Sequence, residues 1–131
     1  MDFVDCLNML EEDGRLVRIE SEVDLLHEAA GIARAFEGRE AVYFEKLKDR
    51  EFPLAMGLWW NRDNLAHLFG TSADKLPALF SAAVKILHSA PVAPVLISNA
   101  PAQEVVMQRP DLGRIPVPTL ALKDGGPYFD N

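Results

Sequence analysis

A chain of 131 residues with 49% hydrophobic and 25% charged side chains has the balance of a folded domain with one core, and is short for a two-domain enzyme. Its 20 acidic and 13 basic residues give a formal net charge of −7, which opposes the phosphate attraction behind most nucleic-acid affinity and excludes that class of partner. No window is apolar over the length of a membrane span, and the opening MDFVDCLNMLEEDG is acidic where a secretory leader is basic, so the cytoplasm is the expected compartment.

Phe3, Leu7 and Leu10 recur at helical spacing, and Gly14 stands where a helix C-terminus prefers a residue free to take positive φ. Cys6 lies among them, a single cysteine read as a small buried hydrophobe. RLVRIES alternates as a short strand. Leu25, Ala29, Ile32 and Phe36 then define an amphipathic second helix closed by Gly38. AVYFEKL is β-branched and aromatic enough for a second strand, and FPLAMGLWW predicts a third that starts at Pro53. Asn61 is placed to cap a helix over RDNLAHLFG. TSADKLPALFSAAVKILHS predicts a fourth helix with Ser72 as its cap and Leu76, Leu79, Phe80, Ala83 and Leu87 as its buried stripe. Beyond it Pro91, Pro94 and Pro101 break the period, leaving short extended segments, the firmest over residues 104–108. Strands separated by helices predict an α/β fold, a mixed sheet flanked by helices over residues 1–109, followed by a proline-rich arm over 110–131.

The residues that carry chemistry do not converge. His27, His67 and His88 fall on three different helices without a ligand partner three or four residues away, so no metal pair shares a helical face. The serines lack a nucleophile elbow, and Gly125 with Gly126 precede no helix that could cradle a phosphate. Glu11 with Glu12 and Glu20 with Glu22 fit solvated faces of an acidic chain. Trp59 and Trp60, if on a strand, alternate: one indole enters the core and the other faces outward. No set of these residues makes a catalytic, cofactor-binding or metal site.

The ordered set LEEDGRLVRIESEVD, GIAR, AVYFEKLK, FPLAMGLWWNRDNLAHLFG, AQEVV, IPVPT and DGGPY resembles the UbiD family of decarboxylases, over essentially the whole chain. The resemblance implies the fold of the N-terminal domain of enzymes that act on aromatic or α,β-unsaturated acids with prenylated FMN. It further implies that the prenylated FMN, its metal ions and the catalytic arginine and glutamates belong to the regions that follow DGGPY. The expectation is a small non-catalytic subunit or N-terminal domain completed by a larger UbiD-like catalytic chain, by self-association, or by both. The alternative is a stand-alone binding or regulatory module derived from that domain. The arm supplies the expected partner interface: Ile115, Pro116, Val117, Pro118, Gly125, Gly126, Pro127, Tyr128 and Phe129, held extended by its prolines.

Overall fold

The structure, a computed structural model, describes residues 2–129; Asp130 and Asn131, the tip of the expected arm, lie outside the described residues. Helix α1 (Phe3–Glu12) starts at Asp2, whose carboxylate accepts from the Asp5 backbone while Asp5 reciprocates, a closed capping box. The strands are β1 (Leu16–Val23), β2 (Ala41–Leu47) and β3 (Leu54–Met56), and helix α2 (Glu28–Ala35) crosses between the first two. The sheet order is β1-β2-β3, with β1 parallel and β3 antiparallel to the central β2. This is the mixed sheet the sequence predicts.

Alternation on β2 explains the layers. Val42 and Phe44, both fully buried, point to one face and pack with Ala29 and Ala33 of α2, Val23 and Leu54. Ala41 points to the other face, where it meets Leu7 and Leu10 of α1 and Leu68 of α3 (Arg62–Leu68). Asn61 caps α3 by accepting from the Asn64 backbone at 2.7 Å, and its amide donates to the Arg39 carbonyl at 2.8 Å, tying the helix to the loop before β2. Cys6 packs, partly buried, against this second cluster, and Phe3 is exposed.

Four expectations need correction. The third strand ends at Met56, because Gly57 takes φ +76° and turns the chain, so both tryptophans sit in a turn instead of alternating on a strand. The fourth helix, α4 (Leu76–Ser89), is capped by Lys75 and not by Ser72. Its expected stripe is not covered: Leu76 is buried, but Leu79 is 39% and Leu87 66% exposed. Residues 104–108 form no strand; a 3-10 turn at Pro101–Gln103 precedes them. Among the described residues no helix is long and apolar enough to cross a membrane.

Candidate functional site

The three histidines are far apart in role. His27 precedes α2 with φ +69°, His67 Nε2 lies 3.1 Å from Asp13 Oδ2, and His88 occupies the last turn of α4. Among the described residues no three His, Cys, Asp or Glu side chains are placed to share a metal ion. The charged contacts are peripheral. Arg18 grips Glu11 with Nε and Nη2 at 2.5 and 2.7 Å and lies over the Tyr43 ring, and its hydrogen bond holds the Glu11 carboxyl below its ordinary value. Asp24 is lowered in the same way by the Leu26 backbone N–H and by Lys48.

What the fold builds instead is surface for contact, beginning with α4. Over residues 77–113 every side chain but that of Ala100 is exposed. Phe80 meets the body edge-on at Phe69, the ring centroids 5.4 Å apart, while Val84, Ile86 and Leu87 face solvent. A helix of 14 residues is marginal in water without a covered flank, and this one has an apolar flank to cover.

The chain then returns to its own body. Arg114 forms an ion pair with Glu51, Pro116 and Pro118 are buried, and Thr119 bridges Leu26 in parallel. The Thr119 N–H donates to the Leu25 carbonyl at 3.1 Å and the His27 N–H donates to the Thr119 carbonyl at 3.0 Å. Asp124 closes the following loop by accepting from the backbone N–H of Leu120 and Ala121, and the Tyr128 N–H donates to the Pro118 carbonyl. Of the expected interface residues, Pro116 and Pro118 are therefore buried within this chain and Val117 and Gly126 are partly buried; Ile115, Gly125, Pro127, Tyr128 and Phe129 are exposed.

That return creates a cleft of about 320 Å³ between the arm and β3. Met56, Leu58, Trp59 and Trp60 line one side, Tyr128 and Phe129 the other. Trp59 is 53% and Trp60 36% exposed. The Trp60 ring lies directly on Gly57, where a Cβ would stand 2.4 Å from it. The site needs glycine here for the positive φ and for this close approach. The arm's contribution to the cleft is invisible in sequence order, since Thr119 and Leu25 are more than ninety positions apart and no local pattern links them.

Residues 7–84 match the family model of the 3-octaprenyl-4-hydroxybenzoate carboxy-lyase N-terminal domain, UbiD_N. The chain belongs to this family. Among UbiD relatives, it is 46% identical over 125 residues to an uncharacterized protein in the cooM 5′ region of Rhodospirillum rubrum, covering 95% of this chain and 27% of that protein. It is 30% identical over 130 residues to the anhydromevalonate phosphate decarboxylase of Methanosarcina mazei, covering 98% and 28%. The fold matches an evolved dimeric form of the UbiD-class enzyme HmfF from Pelotomaculum thermopropionicum, in complex with prFMN, with a TM-score of 0.83 and 29% identity over 95% of this chain and 29% of that one. The chain thus spans under a third of the length of the relatives it matches.

Proposed function

We propose that this chain is the N-terminal, non-catalytic portion of a UbiD-type carboxy-lyase for an aromatic or α,β-unsaturated acid, seated against a larger portion that binds prenylated FMN and its metal ions. The observation that carries this reading is the uncovered apolar flank of α4, on a fold that corresponds to about the first third of UbiD-class enzymes. The residues present do not fit the cofactor themselves. No metal-ligating group of three is placed among the described residues, and the cleft is lined by apolar and aromatic side chains with no cation for a flavin phosphate. Residues 104–108 favour extended structure by composition but have no partner strand; pairing with a strand of the cofactor-bearing portion would satisfy their backbone groups.

Co-expression with a UbiD-like chain lacking this domain tests the proposal. The expected result is a stable complex with a flavin spectrum and decarboxylase activity on aromatic or unsaturated acids, which Leu87→Asp disrupts while this chain stays folded. Failure of the two to associate, or full activity of the larger portion alone, would overturn it.

A further inference from the structure

Two features of the chain answer each other without touching. One is the aromatic cleft, where Trp60 is held flat on Gly57 and Trp59, Tyr128 and Phe129 leave ring surface in water. The other is the segment APVAPV at residues 90–95, which carries Pro91 and Pro94 in P-x-x-P spacing and is exposed throughout. The two prolines fix their own φ, and each disfavours the helical region for the alanine before it, so this segment is pre-set towards a polyproline II path. Grooves lined by Trp and Tyr take such segments because ring faces pack on pyrrolidine faces and little backbone entropy remains to be lost.

We propose that the cleft over Gly57 takes residues 91–94 of a second copy of this chain, in a reciprocal exchange. Charge separates along the sequence in the sense this requires. Residues 1–74 hold 16 of the 20 acidic and 8 of the 13 basic side chains, whereas residues 75–110 hold Lys75, Lys85 and Arg109 against Glu104 alone. The basic, proline-bearing excursion of one copy therefore approaches the acidic body of the other with favourable electrostatics. The excursion is anchored at both ends, by buried Leu76 and by Thr119 on residues 25–27, so it is presented as a fixed loop and not as a free tail. A two-fold arrangement lets each copy give one segment and receive one, using the same two surfaces twice. The proposal is independent of the family reading, since it concerns contacts between copies of this chain alone.

Trp59 and Trp60 are the only tryptophans, so intrinsic fluorescence reports on the cleft. A synthetic peptide of residues 88–99 titrated into the full chain is expected to shift the emission to the blue and to saturate; the same peptide with Pro91→Ala and Pro94→Ala is not. Sedimentation equilibrium of the chain is expected to show a dimer whose dissociation constant rises about tenfold or more in the Pro91→Ala, Pro94→Ala variant, with an unchanged circular dichroism spectrum. Equal action of the two peptides, no shift with either, or assembly that ignores the proline substitutions would each overturn the exchange. A shift produced by a small aromatic probe such as indole but not by the peptide would assign the cleft to a small ligand and overturn it as well.

Discussion

The Nη1 of Arg15 donates to Oδ1 of Asn64 at 3.0 Å, although 49 positions separate the two residues in sequence. Asn64 is fully buried and its amide also reaches the Arg39 carbonyl at 3.4 Å, so one side chain joins α3, the entry to β1 and the loop before β2. Replacing it by alanine leaves the Arg15 guanidinium and a backbone carbonyl without their partner. Asn64→Ala should lower stability by about 1–3 kcal/mol in urea unfolding. A loss below that of the exposed control Glu12→Ala would show that the bond adds nothing.

Core and flank should part company under truncation. Phe44→Ala empties a fully buried site beneath α2 and should cost about 3–5 kcal/mol, whereas Leu79→Ala should change the isolated chain by no more than about 0.5 kcal/mol. Comparable thermal shifts in the two variants would mean that α4 is covered in solution.

Gly57→Ala meets two obstacles at once, a positive φ and the Trp60 ring. The backbone alone costs about 1–2 kcal/mol, and the ring must leave its seat. Tryptophan emission should move to the red while the far-ultraviolet dichroism of the sheet and helices persists; an unchanged spectrum would place Trp60 elsewhere.

The Glu11 and Asp24 carboxyls are held below their ordinary values of 4.5 and 3.8 by Arg18 and by the Leu26 N–H with Lys48. Between the ordinary and the lowered values the unfolded chain binds more protons than the folded one, so stability from these contacts is complete above pH 4.5 and fades as the pH falls through the lowered values. Both groups are exposed, so the effect is small and salt-sensitive. Glu11→Gln and Asp24→Asn should each flatten the acid limb of stability against pH at low salt. Parallel acid limbs in parent and variants would discount both pairs.

Thr119→Pro deletes the N–H that the Leu25 carbonyl accepts and should release the arm. Since the His27 N–H donates to the Thr119 carbonyl, the His27 amide should then exchange with solvent about tenfold or more faster, in line with loss of a local opening barrier. Exchange at His27 as slow as in the parent chain would show that the clamp does not depend on this strand pairing.

What the sequence determined by itself is local. Helical spacing with Asn61 as cap, β-branched runs and glycines at Gly14, Gly38 and Gly70 place seven elements and the α/β class, because caps, turns and periodicity act over a few residues. The ordered motifs also carry the family resemblance that the match over residues 7–84 makes firm. Burial was beyond its reach wherever the covering group is distant. Periodicity marks which flank of α4 is apolar but not whether anything lies against it, and Leu79 and Leu87 have the spacing of core residues while standing in water. The tryptophans follow the same logic: alternation applies only while a strand continues, and the positive φ at Gly57 ended it. The pairing of Thr119 with Leu25 and His27 is decided by the tertiary structure alone, because hydrogen bonds between distant segments are chosen by packing of the whole chain. The aromatic cleft exists only through that pairing, which brings Tyr128 and Phe129 opposite Trp59 and Trp60.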